Sequence, residues 1–571
     1  MSEIEKNESR TVVTRRNVLA ASGAAAVAAG LLGVRLTGPS ASAQEGSNQV
    51  PATPVALGGV IPPEIADNPN DWVVEGKDLA QTRNATSNIN ASTVSGLGEA
   101  WRVAVDGVSG FGAIASNPIV IGDTVYLQDM QSNVYSFAKE TGELKWRTDF
   151  NLPSVGPNGL AIGYGVIAVG LGLQGQAAAL DAATGALLWQ TMLTANIGEG
   201  VDMAPLIYDN TVYISTVPGN SNADANFYRG GQKGIFYALD ISSGHVIWQW
   251  ETVGNLWENA RVNSGGGLWH PPAVDDAGQL YLAVANAAPY PGNDEFPNAT
   301  SRLGANDYAN CLVKIDPATA SVSWYINVKP HDLFDLDNHL SPVLTTVTID
   351  DVDVKLVLTS GKHGIVVAAD QDSGQEIWRR QVGIHQNDNL QEIPEGETIW
   401  VSPGTLGGVE TPFAVADGRA FFPVLNAPTE YSPVALITAD YTGGTSQLVA
   451  LDVATGDLIW EVDLPGPIFS GATVTNDLVW IVGLDAVVRA YNVADGTLVF
   501  SFQTVSGVNG TLAAVDDYLF VPAAAFFVPT ADTPVPTAVG TNNLVAYKLG
   551  APAIVNPEPA PAASPEATPG A

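Results

Sequence analysis

A short unit recurs along most of this chain and constrains its fold more than any other feature. In residues 448–467 (LVALDVATGDLIWEVDLPGP), an alternating apolar run ends at Asp452, and a second run places Trp460 eight positions later. The same step separates Asp181 and Trp189, Asp240 and Trp248, Asp316 and Trp324, and Asp370 and Trp378. Two degenerate copies keep the step, from Ala138 to Trp146 and from Asn492 to Phe500.

A glycine lies four positions before the aromatic residue in nearly every copy. Ala320 is the exception, and the glycines are Gly142, Gly185, Gly244, Gly374, Gly456 and Gly496. Glycine adopts positive φ without strain, and a preceding aspartate hydrogen-bonds local backbone, so each unit predicts two strands of about 4 to 8 residues joined by a short turn. Such a hairpin buries neither of its faces alone and must stack on neighbours.

The spacing of the copies indicates a β-propeller with insertions. Successive repeat aromatics are 43, 59, 76, 54, 82 and 40 residues apart. Four-stranded propeller blades repeat at about 40 to 50 residues, which predicts an all-β chain whose third to sixth blades carry long insertions. Functional residues concentrate in loops on such scaffolds, so the insertions are where a site is expected.

The two ends of the repeat array predict how it closes. Residues 96–103 (GLGEAWRV) match the Trp-bearing second strand of a unit without its first, and residues 543–549 (NLVAYKL) match a first strand without its second. Pairing of these two strands would leave no open edge. Seven complete units and one split unit predict eight blades, closed by pairing of the N- and C-terminal strands; seven blades is the alternative.

The flanks predict an exported protein. Arg15 and Arg16 stand in a twin-arginine pattern before an Ala/Gly-rich stretch and a small-residue site at 41–43, so residues 1–43 are interpreted as a twin-arginine signal. A membrane anchor is the alternative, although the stretch is short and Gly-rich. Residues 44–68 are assigned as a linker, 69–550 as the propeller, and 551–571 as a disordered Pro/Ala-rich tail. The expected location is extracellular, or the cell envelope or periplasm.

Charge and cysteine content exclude several classes of partner. The formal charge is −35, and residues 1–43 carry an excess of two positive charges, which leaves −37 for the rest. Such a surface repels nucleic acid, so no nucleic-acid partner is expected. We interpret the charge as a salt-adapted or strongly solvated exterior, and a specific cationic partner is the alternative. Cys311 is the lone cysteine, which excludes a Cys-x-x-Cys-His attachment site and therefore a covalent haem.

Four segments carry a family resemblance. They are residues 71–101 (DWVVEGKDLAQTRNATSNINASTVSGLGEAW), 265–290 (GGGLWHPPAVDDAGQLYLAVANAAPY), 329–337 (KPHDLFDLD) and 360–374 (SGKHGIVVAADQDSG). In this order they resemble the quinoprotein alcohol dehydrogenases, an eight-bladed propeller family that uses pyrroloquinoline quinone (PQQ) and a metal ion. The resemblance implies oxidation of a small alcohol, with calcium or a lanthanide as the metal and an external electron acceptor, a cytochrome or another carrier.

The resemblance also implies roles for five residues. Trp269 falls where the family stacks an indole on the quinone, and Lys362 on the basic residue that hydrogen-bonds the reactive quinone oxygens. Asn286 falls on a metal ligand, Asp335 on the general base, which also contacts the metal, and Asp337 on an extra carboxylate found with lanthanides. Oxygen ligands suit hard cations, and two neighbouring carboxylates raise each other's pKa unless a cation neutralises them.

Other positions depart from the family pattern. Asn158 falls where the family has an arginine for a PQQ carboxylate, and Asp202 falls where it has a hydroxyl donor. The metal-binding glutamate falls near Asn220, in an insertion whose nearest acid is Asp224. The sequence therefore leaves open a cofactor held differently. Two further alternatives are a cofactor-free propeller that scaffolds partner proteins at the envelope and a quinoprotein that oxidises sugars or polymers.

Overall fold

The computed structural model describes residues 13–14, 60–109, 111–196, 199–218, 229–349, 351–439, 444–524, 542–552 and 554. Within them, eight sheets, numbered 1 to 8 along the chain, each contain four antiparallel strands; in the first seven these four strands neighbour one another in chain order. Sheet 1 comprises Ile119–Ile121, Thr124–Gln128, Val134–Ala138 and Leu144–Thr148, and sheet 2 comprises Leu160–Gly163, Val166–Gly170, Gln176–Asp181 and Leu187–Met192. Sheet 3 comprises Leu206–Tyr208, Thr211–Ser215, Ile235–Asp240 and Val246–Glu251. Sheet 4 comprises Ala273–Val274, Leu280–Val284, Cys311–Asp316 and Ser321–Asn327.

The second half of the chain repeats the pattern. Sheet 5 comprises Val343–Ile349, Val352–Thr359, Ile365–Asp370 and Glu376–Gln381. Sheet 6 comprises Ala414–Ala416, Arg419–Asn426, Thr445–Asp452 and Leu458–Leu464. Sheet 7 comprises Thr473–Thr475, Leu478–Val482, Val487–Asn492 and Leu498–Gln503. Sheet 8 combines Ala513–Val515, Tyr518–Ala523 and Asn543–Leu549 with Leu97–Ala104 from the N-terminal side. The strand pairing predicted between the two ends of the array is thus observed, with Trp101 opposite Ala546.

Short elements complete the fold. Asn84–Ala85 pairs in parallel with Thr473–Thr475, and two small hairpins join Glu199–Gly200 to Val217–Pro218 and Ser264–Gly265 to Ala287–Ala288. A further sheet contains Ile399–Val401, Thr429–Ser432, Ala435–Ala439 and Val13–Thr14. Among the described residues, the helices are the α-helix Pro63–Ala66 and the 3-10 helices Val94–Gly96, Leu256–Glu258 and Pro297–Arg302.

The described part of the chain has no helix with the length and hydropathy of a membrane span. The predicted signal, residues 1–43, lies outside the described residues except for Val13–Thr14. The tail after residue 554 lies outside them too. Within the predicted linker 44–68, Glu64 accepts hydrogen bonds from the backbone N–H groups of Tyr164 and Gly165 at 2.8 and 2.7 Å.

The repeat tryptophans join neighbouring sheets. Trp189 lies over the turn of sheet 3, where a Cβ added to Gly244 would come within 2.5 Å of its ring, and its Nε1 donates to the Ile241 carbonyl at 2.8 Å. Gly244 has a φ of +68°, so this turn requires glycine both for its backbone conformation and for the ring above it. The same contact recurs between Trp460 and Gly496. These tryptophans therefore have a structural role at the boundary between neighbouring sheets.

The meander places its connections on two faces. In four antiparallel strands, the turn between the third and fourth strands leaves from one end, whereas the connection between the second and third strands and the segment leading to the next sheet leave from the other. We call these ends the turn face, which carries Asp240 and its equivalents, and the site face. All the site residues predicted by the resemblance that the structure describes lie on segments of the site face.

Candidate functional site

Four of the predicted residues meet in one buried cluster. Asn286 follows the second strand of sheet 4, Asp335 and Asp337 lie between sheets 4 and 5, and Lys362 lies between the second and third strands of sheet 5. The Lys362 Nζ is 2.6 Å from a carboxylate oxygen of Asp337 and 3.6 Å from one of Asp335. We call Asn286, Asp335, Asp337 and Lys362 the acid cluster.

Asn286 connects both aspartates. Its backbone N–H donates to Asp337 Oδ1 at 2.7 Å, and its side-chain Nδ2 donates to Asp335 Oδ1 at 2.9 Å. Asp335 has a φ of +61°, which is uncommon for residues other than glycine. The surrounding contacts therefore hold its backbone in this conformation, and this fixes where its carboxylate begins. All three residues are buried.

Two residues that the sequence did not indicate complete this region. Thr405 Oγ1 donates a hydrogen bond to Asp335 Oδ2. Glu410 is partly exposed as a residue, yet its Oε2 is buried without a hydrogen-bond partner among the described residues. Both lie in the segment between sheets 5 and 6, within the 82-residue spacing from Trp378 to Trp460. That spacing marked an insertion, but no local motif singled out these two positions.

The electrostatics of the cluster are dominated by burial and by an excess of acids. Burial raises the pKa of Asp335 to about 7, with Lys362 opposing the shift and Asp337 adding to it. Burial likewise raises the pKa of Glu410 to about 8. Burial alone would lower the pKa of Lys362, but the surrounding acids outweigh it and hold that pKa well above its ordinary value. One ammonium group thus serves three carboxyl groups.

A second group of predicted residues surrounds Trp269. A Cβ added to Gly156 would lie 2.5 Å from the Trp269 ring and 2.8 Å from the Cβ of Asp202, so this glycine separates the two side chains closely. Asp202 Oδ1 accepts hydrogen bonds from Ser154 Oγ at 2.7 Å and from the backbone N–H of Val155 at 3.0 Å. We call Trp269, Gly156, Asp202 and Asn158 the indole group.

Asn158 closes the indole group on the side of sheet 1. Its Nδ2 donates to the Asp129 carbonyl at 2.6 Å, and its backbone N–H donates to the Gly156 carbonyl at 2.8 Å. Its Oδ1 is buried without a hydrogen-bond partner among the described residues. At this position the structure therefore presents an unpaired acceptor, which would suit a ligand that donates a hydrogen bond better than a carboxylate.

Backbone pairing joins the two groups. Gly266 N–H donates to the Asn286 carbonyl, and Ala285 N–H donates to the Gly267 carbonyl, both at 2.9 Å. Trp269 lies two residues beyond this pairing, and Asn286 lies within it. Asn220 and Asp224 fall outside the described residues. Within the ranges that are described, no three His, Cys, Asp or Glu side chains are arranged to hold a metal ion.

Comparison with known proteins places this fold in a family. Residues 195–382 match the model of the glucose/ethanol/alcohol dehydrogenase β-propeller domain. Residues 73–226 and 362–526 match a second propeller model, described as outer membrane protein assembly factor BamB. The two matches define a PQQ-type β-propeller. The chain belongs to the quinoprotein alcohol dehydrogenase family.

Individual relatives are distant but extensive in coverage. The chain is 24% identical over 532 residues to the lanthanide-dependent methanol dehydrogenase of Methylacidiphilum fumariolicum, covering 78% of this chain and 82% of the relative. It is 25% identical over 498 residues to a polyvinylalcohol dehydrogenase of a Pseudomonas species, covering 80% and 71%. The structure of the quinohemoprotein alcohol dehydrogenase of Comamonas testosteroni superposes with a TM-score of 0.73 at 21% identity, covering 86% and 82%, which supports the β-propeller fold.

Proposed function

We propose that this protein is an exported oxidoreductase that oxidises an alcohol with PQQ and a calcium or lanthanide ion, on an eight-bladed propeller closed by its terminal strands. The observation that carries the proposal is the acid cluster, in which Lys362 contacts Asp335 and Asp337 of a different segment. The relatives named for methanol and polyvinyl alcohol oxidation support an alcohol as the substrate class.

The acid cluster fits a hard cation in its chemistry. Asp335 and Asp337 supply carboxylate oxygens, and the Asn286 amide supplies a further oxygen if its side chain turns from its present hydrogen bond. The excess of buried acids over ammonium groups also favours an added positive charge. A cation would stabilise the ionised carboxylate of Asp335 and so oppose the rise in pKa that burial causes. Asn220 is the proposed fourth position, by alignment with the family.

PQQ fits the two groups unequally. Lys362 supplies a cationic donor for quinone oxygens, and the Trp269 indole offers a flat surface for stacking. Asn158 and Asp202 supply no cation for the cofactor's carboxylates, and the Asn158 Oδ1 is an unpaired acceptor. We therefore propose that Trp269 and Lys362 hold the ring system, while Asn158 and Asp202 give this protein weaker affinity for PQQ than an arginine would.

In the proposed reaction, Asp335 is the general base. Its buried carboxylate can accept a proton from an alcohol hydroxyl, and burial, which raises its pKa, makes it a stronger base than an exposed aspartate. Lys362 keeps positive charge beside this base and beside the oxygens of a bound quinone. Bound at this site, PQQ with a metal ion would supply a hydride acceptor activated by a Lewis acid.

Reconstitution with Asp335→Asn tests this proposal. The purified protein, supplied with PQQ and either calcium or a lanthanide, is expected to oxidise an alcohol with an artificial dye acceptor, and Asp335→Asn should reduce kcat by about 10²- to 10⁴-fold because the base is lost. Asp276→Asn, an exposed acid paired with Lys355, is the matched control and should keep wild-type turnover. Absence of a bound quinone spectrum after reconstitution of the wild type would overturn the proposal.

A second candidate is a cofactor-free scaffold at the cell envelope. The match to the assembly-factor model favours it, as does the residue type at Asn158 and Asp202, neither of which offers a positive charge to the cofactor's carboxylates. This function predicts stable protein partners in cross-linking of the native envelope, with the same partners captured by Asp335→Asn. If cross-linking of the wild-type protein captures no stable partner and the purified protein shows quinone-dependent turnover, the scaffold function is eliminated.

A further inference from the structure

The turn that carries Thr405 is firmly attached to sheet 6. Gly404 N–H donates to the Ala427 carbonyl at 2.9 Å, and Gly408 and Leu425 exchange two backbone hydrogen bonds of 2.8 Å. The turn closes on itself through Gly407 N–H and the Gly404 carbonyl, also at 2.8 Å. A β-strand pairing of this kind holds the turn in a fixed position relative to sheet 6, beside the acid cluster.

Thr405 is the residue of this turn that reaches Asp335. Its backbone N–H donates to Thr429 Oγ1 at 3.1 Å, and Thr429 is buried, so the backbone of Thr405 has a fixed anchor. Its hydroxyl donates to Asp335 Oδ2, while Asn286 Nδ2 donates to the other oxygen. The two donors come from different segments, and together they define the plane of the Asp335 carboxylate.

The competing partner for Asp335 is Lys362. Its ammonium already makes a 2.6 Å contact with Asp337 and stands 3.6 Å from Asp335 Oδ2. Without the Thr405 hydroxyl, Oδ2 would lose its closest donor and turn toward the ammonium, since a charged donor is the stronger one. The carboxylate would then be held in an ion pair and would point away from the position set by Thr405.

We propose that Thr405 is a positioning residue that orients the Asp335 carboxylate for removal of the substrate's hydroxyl proton. This role rests on the proposed function. In the step concerned, the alcohol O–H bond would break and its proton would pass to Asp335, and a bound quinone would supply the acceptor for the carbon-bound hydrogen and its electron pair. Thr405 exchanges no proton with the substrate; it keeps the accepting oxygen in place.

Substitution of Thr405 by valine and by serine tests this role in the reconstituted enzyme. Thr405→Val removes the hydroxyl at nearly constant shape and is expected to lower kcat by about 10- to 100-fold, with KM within about twofold of wild type, because misplacing a catalytic group affects the chemical step. Thr405→Ser keeps the hydroxyl and should recover most of the turnover. Thr411→Val is the matched control, because that buried hydroxyl donates to the Ser470 carbonyl at 2.9 Å and not to Asp335.

Two further measurements separate this role from the proposed function. The carboxylate infrared band of cofactor-free protein should shift in Thr405→Val, and the shift should vanish in an Asp335→Asn background. An unchanged band would overturn the contact itself. Wild-type turnover in Thr405→Val, with an active wild type, would overturn only the role of Thr405, whereas a wild type with no alcohol oxidation would overturn the proposed function and this role with it.

Discussion

Acidic residues behave in opposite ways on the two faces of this propeller. On the turn face, side-chain hydrogen bonds from Ser242 and Ser243 lower the pKa of Asp240, and the same kind of bond from Ser373 lowers that of Asp370. On the site face, burial raises the pKa of Asp335 to about 7 and that of Glu410 to about 8. The comparison shows that position in the meander, rather than residue type, decides whether an acid stabilises a turn or is available for chemistry.

The difference follows from what each face must satisfy. A turn aspartate accepts nearby N–H and O–H groups, as Asp240 Oδ1 does from Ser243 at 2.9 and 2.7 Å, and remains in contact with water. The acid cluster is enclosed, and its acids share the ammonium of Lys362. Such an arrangement costs stability, and its retention at the site face is consistent with a functional role.

Removal of Lys362 should have the largest effect on this comparison. Lys362→Met leaves Asp335, Asp337 and Glu410 without a cation, and breaking a buried ion pair from one side typically lowers the free energy of unfolding by about 3 to 5 kcal/mol. Denaturant unfolding of the cofactor-free protein at pH 8 measures it. Lys355→Met removes an exposed ion pair between Lys355 of sheet 5 and Asp276 of sheet 4, and it should change the free energy of unfolding little. Equal unfolding midpoints for the two variants would show that the acid cluster depends on its lysine for stability no more than the exposed pair does.

The turn face could be predicted from sequence because its interactions are local. The eight-residue step sets the strand pairing, as in Ala450 opposite Trp460, and the turn glycine falls beneath the tryptophan of the preceding sheet. The aspartate, the glycine and the tryptophan of a copy lie within eight residues of one another, although the tryptophan packs on the turn of the next sheet. The β-propeller class and the pairing of the two end strands follow from it, whereas the loops of the site face carry no period from which their conformation could be derived.

The site face was predictable only in part. Resemblance indicated Asn286, Asp335, Asp337 and Lys362, and the structure brings these four together. Thr405 and Glu410 could not be found in this way, because they reach the cluster through the attachment of their turn to sheet 6, about 70 residues from Asp335 in the chain. Contacts of that separation depend on how sheets pack and leave no signature in the local sequence.

The pH dependence of stability should expose Glu410 next. A carboxyl whose pKa is raised in the folded state keeps a proton that the unfolded chain has lost, so stability falls as pH rises from about 4.5 through about 8. Glu410→Gln cannot ionise and is therefore expected to be more stable than wild type by about 1 to 3 kcal/mol at pH 8.5, and nearly equal to it at pH 4.5. Denaturant unfolding of the cofactor-free proteins at both pH values measures the difference.

An exposed glutamate provides the control for that measurement. Glu376→Gln removes a carboxylate that pairs with Arg379 at 2.8 Å on the surface of sheet 5, and it should leave the pH profile almost unchanged. A profile for Glu410→Gln that parallels the wild type between pH 4.5 and 8.5 would mean that Glu410 is ionised in the folded state. The contrast between the two faces would then rest on Asp335 alone.

The smallest effect is expected from Asp240→Asn, which makes at the turn the same change that Asp335→Asn makes at the site. The asparagine oxygen can accept the hydrogen bonds of Ser242 and Ser243, so the free energy of unfolding at pH 7 should change by no more than about 0.5 kcal/mol. Because the pKa of Asp240 is lowered in the folded state, its charge stabilises the fold above the unfolded pKa of about 4 and loses that contribution as pH falls further, so the two proteins should converge in acid. Turnover of the reconstituted enzyme should be unaffected. A loss of turnover comparable to that of Asp335→Asn would show that acids on the turn face contribute to the reaction, and the division between the two faces would fail.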